Sequence, residues 1–307
     1  MRRKALRLIL LAFLGLLVYS VFIEPAMLGF TTHEIKVKGL PSEFDGFKIV
    51  QLSDLHVNRW YRPEHVRGLV RKVNALHPDL VVLTGDYVSR NKADCAPAGR
   101  SLSGLKAKYG VHAVLGNHDY WTDPDAVTEA LRASGIDVLF DEKRKIVIGG
   151  QTIWLVGTDD EWEGEPDYDK AFEGLTSRDV CLAIAHNPDA VLSMKGRPVS
   201  LLLAGHTHGG IINLPGSGPL LSISRLGRRC ASGMFTANGV RTYVSRGLGT
   251  GPIAHIRFRC PPEVPIFVLR CGNGPTAPAT PSPCPPCSRI QLGPRQGETR
   301  RDNHPVT

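Results

Sequence analysis

Between residues 31 and 270 the apolar positions follow two periods in turn. Short unbroken apolar runs occur at "FKIVQL" (47–52), "DLVVLT" (79–84), "VHAVL" (111–115), "CLAIA" (181–185) and "LLLA" (201–204). Runs of this length without polar alternation predict strands covered on both faces. "PEHVRGLVRKVNAL" (63–76) spaces its apolar residues three and four apart behind a proline in the first turn, which predicts a helix. "DPDAVTEALRASG" predicts a second, with Asp123 as cap and Gly135 as stop. A weaker helical stretch is expected over 102–108, short strands at "IDVLF" and "TIWLVG", and a short helix between the last two apolar runs. After Gly210, glycine and proline punctuate the strands "GVRTYVSRGLG" and "VPIFVLR". The βα alternation followed by mostly β structure predicts one α/β domain with two packed sheets.

The two ends read differently. "MRRKALRLILLAFLGLLVYSVFIEPAML" places a cationic start before an uncharged apolar run over 8–23. That run is close to the roughly 20 apolar residues of a membrane span. No A-x-A-like cleavage site follows it, so an uncleaved signal anchor over 1–30 is expected rather than a removed signal peptide. The cationic start then keeps the N-terminus in the cytoplasm and sends the rest to the other side of the cell membrane, as a single-pass protein. The end of the chain, 271–307, is rich in proline, glycine, serine and threonine and is expected to be disordered. Cys284 and Cys287 lie in this stretch without a folded context for a redox or metal role.

Charge narrows the partners. The net charge is +8, but residues 1–30 carry a net +3 and residues 271–307 a net +2. Only +3 remains for the folded part, which excludes a nucleic-acid polymer as the expected partner.

The chemistry lies where the apolar runs stop. They are followed in turn by Asp54-Leu55-His56, by Gly85-Asp86, by Gly116-Asn117-His118-Asp119, by His186, and by Gly205-His206-Thr207-His208. Ligands bind outside the carboxyl ends of strands in open α/β sheets. Two aspartates, one asparagine and five histidines form a donor set suited to Mn, Fe or Zn rather than to a thiolate site. Eight such groups suffice for two metals that share a bridging ligand.

The series D-x-H, G-D, G-N-H-D, H and G-H-x-H resembles the signature of calcineurin-like metallophosphoesterases, over about residues 33–270. "VSRGLG" (244–249), "IRF" (256–258) and "CPPEV" (260–264) resemble its membrane-associated branch, which includes proteins similar to UDP-diacylglucosamine pyrophosphatases. The resemblance implies a four-layer α/β/β/α sandwich behind the N-terminal transmembrane helix. It implies two divalent ions, manganese foremost, with iron, zinc or magnesium as alternatives. Asp54, His56 and His208 would hold one, Asn117, His186 and His206 the other, and Asp86 would bridge them. His118 would remain unligated beside the leaving group as the catalytic acid. Ser89, in "GDYVSRN", stands where the protein phosphatases of the family have an aspartate, which argues against a Ser/Thr protein phosphatase. Ile211 replaces a glutamine frequent after G-H-T-H-G-G. Asp119 either fixes the tautomer of His118 or caps a helix, and Arg246 either contacts a phosphate or forms a surface ion pair. The expected activity is hydrolysis of a phosphoester or pyrophosphate bond, with a lipid-linked substrate such as UDP-diacylglucosamine as the named candidate. A nucleotide phosphodiesterase and a non-catalytic binding protein on the same fold are the competing readings.

Overall fold

The computed structural model describes residues 2–250 and 255–272. The predicted tail, from residue 273 onward, and with it Cys284 and Cys287, lies outside the described residues.

The chain begins with α1 (Arg2–Val18) and β1 (Gly29–Val37), followed by β2 (Lys48–Leu52), α2 (Pro63–Asn74), β3 (Leu80–Thr84), α3 (Cys95–Leu102) and β4 (Val111–Val114). Then come α4 (Asn117–Thr122), α5 (Pro124–Arg132), β5 (Asp137–Val138), β6 (Glu142–Ile148), β7 (Gln151–Gly157), α6 (Tyr168–Ala171), β8 (Cys181–Ile184) and β9 (Val199–Ala204). The chain closes with β10 (Asn213–Leu214), β11 (Gly218–Pro219), β12 (Gly233–Ala237), β13 (Val240–Val244) and β14 (Glu263–Cys271).

Two six-stranded sheets result, in the orders β1-β14-β2-β3-β4-β5 and β12-β13-β9-β8-β7-β6. Strands β2, β3 and β4 are parallel, as are β7, β8 and β9, so each set delivers its carboxyl ends to one edge. The fully apolar strands are explained by three buried layers. Ile49, Val82, Val114, Leu182, Ile184, Leu201 and Leu203 fill the space between the sheets. Val66, Leu69, Val73, Leu102, Val127 and Leu131 carry α2, α3 and α5 onto the outer face of the first sheet. Ala171, Phe172, Ala190, Val191 and Met194 cover the outer face of the second. The four-layer α/β/β/α sandwich is therefore present.

The helices form where capping and spacing place them. Asp123 accepts from the Ala126 amide at 2.9 Å at the start of α5, and Gly135 turns the chain at φ 78° after it. The helix expected over 102–108 instead ends at Leu102. Asn91 caps the turn that leads into it, accepting from the Ala93 amide at 3.1 Å, and Pro97 sits in the first turn of α3. Strands β1 and β6 carry too many polar residues for the apolar-run criterion, and β12 is a short strand that opens on Gly233 and is interrupted by Thr236. They lie at or next to sheet edges, where one face is solvated.

The N-terminal helical stretch Arg2–Ala26 has 25 residues, its most apolar stretch of 18 has a mean hydropathy of 2.5, and it is long and apolar enough to cross a membrane. At about 1.5 Å per residue it exceeds a hydrocarbon core of about 30 Å. Its end does not stand apart from the domain. Ser20 and Glu24 are buried, the Ser20 carbonyl accepts from the Arg257 amide at 2.9 Å, and the Glu24 carboxylate accepts from the amides of Arg259, at 2.8 Å, and Cys260. Contacts with the folded part thus begin near residue 20, and β14 runs through Cys271.

Glu24→Ala leaves two sheltered amides without an acceptor and is expected to cost about 2–4 kcal/mol of stability. Denaturant titration of the detergent-solubilised chain measures it, and an unchanged midpoint would show the contact to be incidental.

Candidate metal centre

The parallel edges of the two sheets meet, and the loops that leave them are locked together. The Asp54 amide bonds the Gly85 carbonyl at 3.0 Å and the His56 amide bonds the Asp86 carbonyl at 2.9 Å, extending the β2–β3 pairing beyond the strands. The Leu248 and Gly249 amides bond the carbonyls of Ser53 and Asp54 at 3.0 and 2.7 Å, joining the loop after β13 to the loop after β2. Gln51 Nε2 bridges Thr84 Oγ1 at 3.0 Å and the Ala204 carbonyl at 2.9 Å, one from each sheet.

The backbone is strained where the candidate donors lie. Asp54, His56, Asp86, His206 and His208 all adopt positive φ, at 52°, 46°, 59°, 72° and 50°. Non-glycine residues in this region cost about 1–3 kcal/mol each and persist only where the surroundings impose them. The glycines before three of the donors have a steric cause. A Cβ on Gly116 would lie 2.7 Å from His186 Nδ1, one on Gly85 would lie 2.7 Å from the same nitrogen, and one on Gly205 would collide with Ser53 and Asp54.

Seven donors converge in two overlapping groups. In the first, His56 Nε2 lies 3.0 Å from His208 Nε2 and 3.3 Å from Asp86 Oδ2, and His208 Nε2 lies 3.5 Å from Asp54 Oδ1. In the second, His186 Nε2 lies 3.1 Å from Asn117 Oδ1, 3.1 Å from His206 Nδ1 and 3.3 Å from Asp86 Oδ2. Donor atoms about 2.1 Å from a common cation and at about right angles lie about 3 Å apart, which is the spacing found in both groups.

Protonation also fits a cation. Burial brings His56 down to about 3 and lowers His206 and His208 well below the ordinary histidine range, so these rings are neutral. His56 Nε2 and His208 Nε2 therefore face each other as neutral rings that cannot both donate. His186 Nδ1 lies 2.7 Å from the Thr84 carbonyl and must donate to it, which directs Nε2 into the centre. Burial opposes charge on His186, yet the neighbouring Asp86 outweighs it and raises the ring well above the ordinary range. Burial likewise opposes charge on Asp86, but His186 foremost holds its carboxyl well below the ordinary range. The protein thus provides a buried carboxylate that demands positive charge on both sides. The donors fit two divalent cations.

His118 is the eighth residue of the series. Its amide donates to Asp86 Oδ1 at 2.9 Å, and its Nδ1 lies 2.8 Å from the Ser89 carbonyl. The orienting group is therefore the main chain of Ser89. Asp119 does not fix the tautomer. Its two oxygens accept from the amides of Gly116, Asp86 and Tyr87 at 2.9, 2.8 and 2.9 Å, capping α4 and tying the Asp86 loop to it. Arg246 forms an ion pair with Glu263 at 2.7 Å, with Glu263 buried rather than at the surface.

A cavity of about 480 Å³ opens over the centre. Arg90, Trp121 and Trp162 line it and were missed in the sequence reading, as was the apolar wall of Ile212, Leu220, Leu221, Ile223 and Ile256. The Arg90 guanidinium lies over Trp121 at 5.3 Å, Trp121 meets the His118 ring edge-on at 4.5 Å, and Trp162 meets His206 edge-on at 4.3 Å. A signal for Trp162 existed: "TIWLVG" is a sixth strand that ends in acidic residues, Asp159 and Asp160, just before it.

Comparison with known proteins agrees with this geometry. Residues 47–210 match the family described as calcineurin-like phosphoesterase. An uncharacterised metallophosphoesterase, YkuE of Bacillus subtilis, is 34% identical over 262 residues, covering 83% of this chain and 90% of that protein. The phosphodiesterase YaeI of Escherichia coli is 32% identical, covering 73% and 82%. The UDP-2,3-diacylglucosamine pyrophosphatase LpxG of Chlamydia muridarum is 27% identical, covering 83% and 92%. The chain belongs to the calcineurin-like phosphoesterase family and is a phosphoester hydrolase.

Asp86→Ala is expected to lose both metals, because Asp86 Oδ2 lies 3.3 Å from a histidine of each group, whereas Asn117→Ala keeps the first. Elemental analysis of each purified variant checks this, and two retained metals in Asp86→Ala would refute the bridge.

Proposed function

We propose that the chain is a membrane-anchored hydrolase in which Asp54, His56, His208 and Asp86 hold one divalent cation and Asp86, Asn117, His186 and His206 hold a second. The observation that carries the reading is the position of Asp86 Oδ2, 3.3 Å from both His56 Nε2 and His186 Nε2. When bound, such cations lower the pKa of water toward neutrality and offset the charge on a phosphoryl group. The metal-matched candidate is manganese.

The chain's own residues supply the rest. Ser89 holds the Nδ1 proton of His118, so Nε2 is the nitrogen that delivers a proton to the departing oxygen. Ser89 thus orients the ring through its carbonyl, with no need for the aspartate of the protein phosphatases. Such proton transfer is worth about 10²–10⁴-fold. Arg90 gives the cavity a permanent cation for a second phosphate, the role first considered for Arg246.

The substrate class follows from the cavity wall and the anchor. One rim offers Arg90 and the metal donors, and the other offers Leu220, Leu221 and Ile223. A molecule with a phosphoester or pyrophosphate beside acyl chains matches both. A diacylated sugar nucleotide such as UDP-diacylglucosamine, the substrate class in the name of LpxG, is the leading candidate. The cationic start of α1 favours a domain on the non-cytoplasmic side of the cell membrane. Trp121 and Trp162 also offer planar faces to a nucleobase, which supports a nucleotide phosphodiesterase as the second reading.

Purified protein with Mn²⁺ and detergent-dispersed UDP-diacylglucosamine is expected to release UMP. Robust cleavage of an aryl phosphate without UMP would remove that substrate and leave the reaction class. His118→Asn is expected to keep both metals and lose about 10²–10⁴-fold on alkyl esters, but far less on a nitrophenyl ester, whose leaving group departs without a proton. Equal losses on the two would show that His118 is not the acid.

A further inference from the structure

The segment 211–230 projects beside the cavity and is built unlike the rest of the surface. Its tip is the β10–β11 hairpin, with Asn213 opposite Pro219 and Leu214 opposite Gly218. Leu214, Leu220, Leu221 and Ile223 are 40%, 43%, 70% and 54% exposed. Arg225, Arg228 and Arg229 follow and are exposed, and the segment contains no aspartate or glutamate. Clustered exposed aliphatic side chains mark an interaction surface. An aliphatic tip flanked by arginines alone matches the boundary between acyl chains and anionic headgroups.

The attachment of this segment indicates what it meets. The Asn213 amide donates to the Phe258 carbonyl at 2.9 Å, and Asn213 Nδ2 donates to the Arg259 carbonyl at 3.2 Å. The Arg259 amide in turn donates to Glu24 at the end of the N-terminal helix. The hairpin and the helix end are thus fastened to the same short stretch, 257–260. Behind the tip, Ser224 Oγ donates to Asp189 Oδ1 at 2.6 Å and the Arg225 amide donates to Asp189 Oδ2 at 3.1 Å, so the base of the segment is fixed to the domain.

We infer that the 211–230 segment is a second membrane contact, which seats Leu221 and Ile223 in the acyl–headgroup boundary of an anionic bilayer and turns the cavity mouth toward it. Leu220, Leu221 and Ile223, just after the hairpin, are both exposed and part of the cavity wall. The mouth of the cavity and the bilayer contact are therefore one edge, and an apolar part of a substrate reaches the metal donors along that edge. Helix α1 alone would tether the domain without fixing which face looks at the lipid. Two contacts joined through residues 257–260 fix it.

The test reads contact rather than turnover, so its outcome is separate from the identity of the substrate. The full chain carrying a benzophenone amino acid at Leu221, and separately at Ile223, is reconstituted in vesicles of phosphatidylcholine and phosphatidylglycerol and irradiated. The control position is Lys106, which is exposed just before β4, at the opposite end of the sheet from the metal donors. Lipid adducts at 221 and 223, with only background at 106, are expected. Adducts at neither tip position, equal yields at 106, or crosslinks joining two copies of the chain would overturn the inference.

Discussion

A buried carboxylate at the seam of two sheets organises this molecule. Asp86 is 1% exposed, and one of its oxygens faces imidazoles from opposite sheets, His56 from the first and His186 from the second. Burying such a charge without compensation is costly, so its surroundings must supply positive charge and hydrogen bonds. The other oxygen accepts the His118 amide, and the Asp86 amide is held by Asp119. Both sheets must end at the right depth for this to work. That requirement explains the parallel strands, the glycines that let loops approach and the left-handed backbone at five donor residues.

Behind the donors a buried polar layer fixes their orientation. Thr84 Oγ1 donates to Ser53 Oγ at 2.7 Å, Ser53 Oγ donates to Asp54 Oδ2 at 2.5 Å, and the Thr84 carbonyl receives His186. Gln51 links Thr84 to β9. A single chain of bonds therefore runs from one sheet to the other beneath both proposed metal positions, and a shift of either sheet would be felt by Asp54 and His186 together.

The N-terminal segment is integrated with the same region. Arg257 is 1% exposed and donates to the carbonyls of Arg246, Gly247, Gly249 and Cys260. Gly247 lies against Asp54, where an added Cβ would sit 2.8 Å from its Cβ. Since the Arg257 amide binds Ser20 and the Arg259 and Cys260 amides bind Glu24, two residues, Arg257 and Gly247, link the end of the apolar helix to Asp54, a proposed ligand. The end of this helix thus supports the loop that backs Asp54.

Most of the framework was legible from the chain alone, because its signals are local. Apolar runs of strand length, the cap at Asp123 and the polar residues that follow each run are written in consecutive residues, and together they specified the α/β class, the two sheets and the series from Asp54 to His208. Strands β1 and β6 were not legible, since at a sheet edge a strand carries polar residues that erase the apolar-run pattern. The partners of Asp119 and Arg246 were undecided in sequence and depend on what the fold brings within reach: four backbone amides near one, Glu263 near the other. Arg90, Trp121 and Trp162 became site residues only through the closure of the two sheets, because nothing in their local sequence states what lies opposite. What consecutive residues encode is the kind of element and the donors at its end. Distances such as the 3.3 Å from Asp86 to two histidines 130 residues apart in the chain, and the shared edge of cavity and hairpin, exist only once long-range packing has brought the strand ends together.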